Sequence, residues 1–407
     1  MSDPISPDRR RFLRLGAATG AAAGLAPGLL PARAAGAPHV QSYRRLGRTG
    51  LEISDISFGS SRLREGQEAL VHHALDRGIN YFDSAYGYTG GDAERVLGRA
   101  LRGLREEVVL VSKVEGEADW PAARMMAELD ESLERLNTDY IDIYMAHAVN
   151  DIERLRSPEW HAFVERARQQ GKIRFAGMSG HAGHLIECLD YAIDEDMVDV
   201  ILCAYNFGQD PAFYERFTRS FNYVAMQPDL PRVLAKARSK DVGTVVMKTL
   251  MGARLNDLRE FERDGGTFAQ AAFRWVLSNA DVDALVVTMK SSADIDEYLG
   301  ASGAHSLAAG DLELLFRYAQ ANGMTYCRHA CNDCAGACPY GVDIPNVLRT
   351  RMYATDYQDL AFARDEYARV SPNAEACVSC SGQPCRDACS NGLPIADMCA
   401  PTHRWLA

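Results

Sequence analysis

The chain has 407 residues, 47% of them hydrophobic, and a formal net charge of −11. This length and composition allow more than one domain and a sizeable core. The acidic balance argues against nucleic acid and against anionic lipid as partners, since both attract basic surfaces.

The first 34 residues predict a removable export signal. Arg9-Arg10-Arg11-Phe12-Leu13 precedes a mild apolar run over 15–30, and Ala32-Arg33-Ala34 is a small-x-small cleavage site. The Arg-Arg-x-Phe-Leu order favours a twin-arginine signal over an ordinary basic leader. We therefore expect the twin-arginine export machinery as a partner and a periplasmic or otherwise exported location, with folding before export.

The apolar run of this leader is too short and too rich in glycine to indicate a stable membrane span. Residues 1–34 contain five Arg and two Asp, net +3, so the rest of the chain carries −14. Removing the leader strengthens the argument against nucleic acid.

From about residue 43 to 305, short apolar runs alternate with amphipathic stretches. The alternation predicts an α/β fold, a (β/α)8 TIM barrel, because eight strands separated by helices suit a closed barrel. No glycine-rich dinucleotide fingerprint follows a strand, which argues against a Rossmann domain. The predicted strands are Ile53–Phe58, Ile79–Asp83, Val108–Lys113, Ile141–His147, Ile173–Ser179, Val200–Tyr205, Thr244–Lys248 and Ala284–Met289.

Four polar residues lie at the carboxyl ends of these predicted strands, where barrel enzymes place their chemistry. They are Asp83, Tyr88, Lys113 and His147. Each residue alone has an ordinary explanation, as a turn residue, a packing aromatic, a solvated lysine or a core histidine. Together they predict one catalytic set on one rim of the barrel.

The C-terminal region, 311–407, contains two cysteine motifs. They read Cys327-x3-Cys331-x2-Cys334-x3-Cys338-Pro339 and Cys377-x2-Cys380-x4-Cys385-x3-Cys389. Four thiolates within so few residues favour two 4Fe–4S clusters in a mainly helical, ferredoxin-like domain. Zinc and disulfides are the alternatives, although zinc ribbons usually separate their two knuckles.

Both motifs are followed by a similar segment, Gly341-Val342-Asp343-Ile344 and Gly392-Leu393-Pro394-Ile395. The similarity suggests a duplicated cluster-binding unit. In two-cluster ferredoxins the fourth cysteine binds the other cluster. We therefore expect Cys389 to join the first three cysteines of the first motif, and Cys338 to join Cys377, Cys380 and Cys385.

Over 43–300 the chain resembles the aldo/keto reductase family, in its branch with a C-terminal ferredoxin-type extension. The matching segments include 45–51, 78–85, 94–98, 136–142 and 171–179. The resemblance maps the family tetrad onto Asp83, Tyr88, Lys113 and His147. It implies hydride transfer between a nicotinamide and a small carbonyl or alcohol substrate.

The resemblance also implies roles for these residues. Tyr88 would donate the proton, Lys113 would lower the pKa of Tyr88, Asp83 would orient Lys113, and His147 would polarise the carbonyl. Ser179 would contact the nicotinamide carboxamide. Lys290 and Ser291 would bind a 2′-phosphate, so NADPH is favoured by family, with NADH as the alternative.

The cluster motifs leave a second function open. A hydride carries two electrons and a 4Fe–4S cluster usually moves one, so the clusters could transfer electrons to a partner protein or serve as structural elements. The alternative to an active reductase is a non-catalytic electron-transfer or binding protein on a degenerate barrel. The complete tetrad favours the enzyme.

Overall fold

The computed structural model describes residues 37–215, 227–251, 262, 266–322, 327, 328, 331 and 333–407. The chain divides into two compact units, Met1–Gly36 and Ala37–Ala407, and all described residues belong to the second. The predicted export signal therefore lies outside the described residues.

Ten described strands form a two-stranded hairpin and a closed barrel. The hairpin consists of β1 (Tyr43–Arg45) and β2 (Glu52–Ser54). The barrel strands are β3 (Ile56–Gly59), β4 (Tyr81–Asp83), β5 (Val109–Val114), β6 (Ile141–Ala146), β7 (Ile173–Gly180), β8 (Val200–Ala204), β9 (Gly243–Met247) and β10 (Ala284–Thr288).

All eight barrel strands run parallel, in the order β10-β3-β4-β5-β6-β7-β8-β9. Strands covered on both faces need apolar side chains at nearly every position, which explains their runs of Val, Ile, Leu and Met. One set of these side chains fills the barrel interior, among them Val111, Ile143, Leu202 and Val245. The barrel prediction is confirmed.

One predicted strand is divided in two. The sequence predicted a single strand over Ile53–Phe58, but the chain leaves the hairpin after Ser54 and enters the barrel at Ile56. Between them, the buried Asp55 carboxylate accepts hydrogen bonds from Ser302 Oγ at 2.6 Å and Gly303 N at 2.7 Å. The bend depends on these distant partners, so the local pattern could not show it.

The hairpin packs against the amino-terminal end of the barrel. Leu46 and Ile53 belong to the same buried cluster as the interior side chains of the barrel strands. At Gly47, where φ is +43°, a Cβ atom would lie 2.2 Å from the backbone nitrogen of Gly243. This close approach requires glycine.

Helices follow most barrel strands and cover the outside. They are α1 (Glu68–Asp76), α2 (Asp92–Ala100), α3 (Ala122–Leu136), α4 (Ile152–Arg156), α5 (Pro158–Gln169), α6 (Leu185–Asp194), α7 (Pro211–Glu215), α8 (Leu230–Ser239), α9 (Phe268–Leu277), α10 (Ser292–Leu299) and α11 (Asp311–Asn322). The Thr267 hydroxyl accepts a hydrogen bond from Gln270 N and so caps the N-terminus of α9. Pro121 is the N-cap residue of α3.

The C-terminal region has its own buried core around α12 (Ile344–Thr355), α13 (Leu360–Tyr367) and α14 (Ile395–Leu406). In contrast, α11 packs on α9 of the barrel, and its Arg274–Asp311 ion pair spans 2.8 Å. No helix among the described residues is long and apolar enough to cross a membrane.

The two similar segments after the cysteine motifs have the same backbone geometry. Gly341 and Gly392 have φ values of +65° and +68°, and their nitrogens donate to the Cys338 and Cys389 carbonyls at 3.1 and 2.9 Å. A helix begins three residues after each glycine, α12 and α14 respectively. The structure therefore repeats the turn that the sequence repeats.

The C-terminal helices lie over the carboxyl end of the barrel. Arg62, after β3, forms an ion pair with Asp359 at the start of α13. Its guanidinium also lies 4.7 Å from the ring centroid of Phe362 and 5.4 Å from that of Tyr357. These cation–π contacts and the ion pair join the extension to the barrel beside the strand ends.

Candidate active site

A cavity of about 420 Å³ opens at the carboxyl ends of the barrel strands. Asp83, Tyr88 and His147 line it from the barrel side. The opposite wall comes from α12, α13 and the turn between them, and comprises Asn346, Arg349, Met352, Tyr353, Tyr357, Phe362 and Glu366. The C-terminal extension therefore encloses the rim where the sequence predicted chemistry.

Lys113, in β5, and Asp83, at the end of β4, form a buried ion pair beneath this cavity. The Lys113 ammonium donates to Asp83 Oδ1 at 2.7 Å and to the Ser84 carbonyl at 2.5 Å. The side chains are 1% and 5% exposed, so little water screens the pair. Burial raises the pKa of Asp83 and lowers that of Lys113, while each partner opposes the shift of the other.

Tyr88 follows β4 and lies next to the Lys113–Asp83 ion pair. The Lys113 ammonium is 5.0 Å from the centroid of the Tyr88 ring, over its face. Burial raises the pKa of Tyr88 well above its ordinary value, and Asp83 adds to the rise. Tyr88 is therefore a neutral phenol, and the lowering of its pKa by Lys113 stays a prediction.

His147 packs against Tyr88 edge to face, with ring centroids 5.6 Å apart. Burial lowers the pKa of His147, an effect opposed by Glu115, whose carboxylate lies 3.8 Å from Nδ1. The imidazole is therefore neutral near pH 7. Arg154 holds the backbone here, donating to the carbonyls of His147 and Val114 at 2.5 and 3.1 Å.

A buried lysine–carboxylate pair, a neutral tyrosine and a neutral histidine thus meet at one end of a parallel barrel. The aldo/keto reductase family model matches residues 55–315 of the chain, well over half its length. The chain belongs to the aldo/keto reductase family. It is an oxidoreductase of aldo/keto reductase type.

Several known proteins are similar to this reductase in sequence or fold. L-galactose dehydrogenase of Arabidopsis thaliana is 27% identical over 283 residues, covering 63% of this chain and 87% of the relative. Methylglyoxal reductase YeaE of Escherichia coli K12 is 31% identical over 231 residues, covering 54% and 74%. The holo form of aldo-keto reductase AKR11C1 from Bacillus halodurans shares the fold, with a TM-score of 0.53 at 23% identity, covering 69% and 96%.

The family implies a nicotinamide cofactor, and the cavity suits one. Met247 and Val287 give its wall an apolar surface, while Lys290 supplies a positive charge near the mouth. The Lys290 ammonium lies 5.7 Å from the centroid of the Tyr357 ring. A flat ring and a phosphate group would both find matching surfaces here.

The other two predicted cofactor residues have local partners. The Ser179 hydroxyl, at the end of β7, accepts from Ala148 N at 2.9 Å. The Ser291 hydroxyl accepts from Asp294 N at 3.1 Å and caps α10. Neither side chain is on the cavity wall, whereas Lys290 is.

The eight cysteines of the two motifs surround two small cavities in the C-terminal region. Cys327, Cys331, Cys334 and Cys389 line one; Cys338, Cys377, Cys380 and Cys385 line the other. Each cavity thus receives three cysteines from one motif and the fourth from the other. Ile344 and Ile395, the first residues of α12 and α14, line both cavities.

Within the described residues, no three His, Cys, Asp or Glu side chains come together closely enough to hold a single metal ion. The thiols of each cysteine set instead surround a space. Cys399, which belongs to neither motif, is buried in the C-terminal core and lines neither cavity.

Two cavity residues were not singled out from sequence. Lys248 follows β9, so the rule that identified Lys113 could have found it. Arg349 lies on α12, outside the barrel, and no sequence signal placed that helix over the rim.

Proposed function

We propose that this protein is an exported reductase that converts a small carbonyl compound to an alcohol with NADPH or NADH. The observation that supports it best is the meeting of Asp83, Tyr88, Lys113 and His147 at one cavity. Reactions of this kind need a proton donor and a polarising group next to the carbonyl oxygen.

Each side chain has a role that fits its state. A bound nicotinamide supplies the hydride. The neutral phenol of Tyr88 holds the proton that the carbonyl oxygen takes up, and neutral His147 can donate a hydrogen bond to the same oxygen. Lys113, held by Asp83, places positive charge beside the developing alkoxide. Because burial raises the pKa of Tyr88, its phenol is protonated and can donate this proton.

Anaerobic titration of the purified, iron-loaded protein with NADPH and then NADH tests this function. We expect one nucleotide to bind, seen as a change in its fluorescence. Absorption of the iron–sulfur chromophore is recorded at the same time. Bleaching on nucleotide addition would indicate electron transfer to the clusters, and unchanged absorption would indicate a structural or partner-facing role. No binding of either nucleotide would contradict the proposal and favour a non-catalytic barrel.

We also propose that the two cysteine cavities hold 4Fe–4S clusters. Four cysteine thiols around each space match the ligand number of such a cluster, and the exchanged fourth cysteine matches two-cluster ferredoxins. The clusters would fix α12 and α14, whose first residues lie between them. Since α12 also forms one wall of the active-site cavity, iron would stabilise that wall.

Paired cysteine variants test the ligand sets. In a Cys377→Ala/Cys380→Ala background, the remaining cluster should need Cys389 but not Cys338. Adding Cys389→Ala should then remove the remaining iron, while adding Cys338→Ala should leave it in place. Cys188→Ala is the control, because it removes a cysteine from the barrel and should leave the iron content unchanged. The opposite pattern of iron loss would assign each fourth cysteine to its own motif, and unchanged iron in every variant would exclude these ligands.

Export is supported by the Arg9-Arg10 motif. The proposed clusters fit this route, because the twin-arginine machinery exports proteins that have already folded, so clusters could be inserted in the cytoplasm beforehand. Cell fractionation should find the protein outside the cytoplasm, and a wholly cytoplasmic protein would contradict export. The twin-arginine machinery is the proposed export partner, and a redox protein is the proposed electron partner of the clusters.

A further inference from the structure

Lys248 stands apart from the tetrad in the same cavity. It follows β9 and lines the cavity, with its backbone in the left-handed region at φ +58°. The Asn206 side chain donates to its carbonyl at 3.1 Å, which holds the turn in place. A non-glycine residue in this conformation is uncommon, so its surroundings must maintain it.

No carboxylate in the described ranges forms an ion pair with the Lys248 ammonium. The two carboxylates on the cavity wall have other cationic partners. Asp83 is paired with Lys113 at 2.7 Å, and Glu366 with Arg369 at 2.9 Å. The Lys248 amine therefore has no ion-pair partner among the carboxylates of the cavity wall.

Arg349, on α12, is another cation on the wall of the same cavity. Its guanidinium donates to Asn346 Oδ1 at 2.9 Å, and in the described part of the chain it has no ion pair. Burial, and then the charge of Arg349, lower the pKa of Lys248 to about 7. Arg62, by comparison, is paired with Asp359 and stacked on aromatic rings.

Two neighbouring cations raise each other's cost of burial, and in the described residues neither Lys248 nor Arg349 forms an ion pair, although the Glu366 carboxylate acts on Arg349. An anionic oxygen group between them would relieve that cost and accept strong, charge-assisted hydrogen bonds from both. Such an anionic group would come from a ligand in the cavity, because no protein carboxylate in the described residues pairs with either cation.

We propose that Lys248 and Arg349 form an anion subsite that binds a carboxylate or phosphate group of the substrate. The inference rests on the proposed function and narrows it, since the substrate becomes an anionic carbonyl compound. One cation comes from the barrel and one from the extension, so the cysteine-rich region also takes part in substrate specificity.

The pyrophosphate of the dinucleotide is the other source of the same chemistry. The test therefore compares 4-carboxybenzaldehyde with its uncharged methyl ester, and measures nucleotide affinity separately. We expect the wild type to prefer the acid. Lys248→Met and Arg349→Gln should each lower kcat/KM for the acid by about 10- to 100-fold, the usual range for a hydrogen bond to a charged group. The kcat/KM for the ester and the Kd for the nucleotide should each change by less than about threefold.

Matched controls remove cations elsewhere. The control variants are Lys240→Met and Arg351→Gln. Lys240 lies just before β9, and Arg351 lies on α12 but off the cavity wall. Neither variant should change the preference for the acid. Equal losses for acid and ester together with weaker nucleotide binding would assign the cations to the pyrophosphate and overturn the proposal. An unchanged preference in both cavity variants would also overturn it.

Calorimetric binding of benzoate separates this proposal from the proposed function. If no aldehyde is turned over, a roughly tenfold or larger rise in the benzoate Kd in both cavity variants would still support the subsite. Equal benzoate affinity in wild type and variants would overturn it. Both variants should fold, because within the described residues neither Lys248 nor Arg349 forms an ion pair.

Discussion

Tyr88→Phe is expected to lower kcat for carbonyl reduction by about 10²- to 10⁴-fold, the usual contribution of a positioned acid. The substitution removes one hydroxyl and keeps the ring that packs against His147 at 5.6 Å. The fold and nucleotide affinity should therefore remain. Steady-state kinetics of the variant and the wild type measure the loss of kcat, and a nucleotide titration of both measures the affinity.

Tyr86→Phe is the matched control, because Tyr86 is two residues away and its hydroxyl donates to Glu131 at 2.7 Å, off the cavity wall. Its activity should stay close to that of the wild type. Equal activity of Tyr88→Phe and wild type would remove Tyr88 from the mechanism and favour a different proton donor.

Lys113→Met is expected to cost about 3–5 kcal/mol of stability as well as activity, the range for breaking a buried ion pair at one partner. The variant leaves the Asp83 carboxylate, whose side chain is 5% exposed, without its cation. Thermal unfolding of the iron-loaded protein measures the loss.

Lys172→Met provides the surface comparison. Lys172 pairs with Asp130, whose side chain is 51% exposed, and such pairs contribute less than about 1 kcal/mol. Adding Asp83→Asn to Lys113→Met should recover part of the stability, because neither charge then remains buried. A Lys113→Met protein as stable as Lys172→Met would show that the buried pair does not support the fold.

The barrel could be predicted because its signals are local. Each strand is a short apolar run, each helix such as α3 buries a row of side chains at helical spacing, and Asp83, Lys113 and His147 lie at strand ends. Parallel strands bring their carboxyl ends to one rim, so residues that end different strands become neighbours in space.

The enclosing wall could not be predicted for the opposite reason. Arg349 and Tyr353 reach the cavity only because α12 packs across the barrel, a placement set by contacts such as Arg62 with Asp359. The raised pKa of Tyr88 likewise depends on its burial in the folded chain, which the sequence does not show.

The most direct test of the account follows deuterium from NADPH or NADH, deuterated at C4 of the nicotinamide, into the product of a small aldehyde. The iron-loaded wild type and Tyr88→Phe are compared under anaerobic conditions. The account predicts label at the carbinol carbon of the alcohol made by the wild type, and at least about a hundredfold slower labelling by the variant. A wild-type protein that binds nucleotide yet transfers no label to any small aldehyde, charged or neutral, would contradict it.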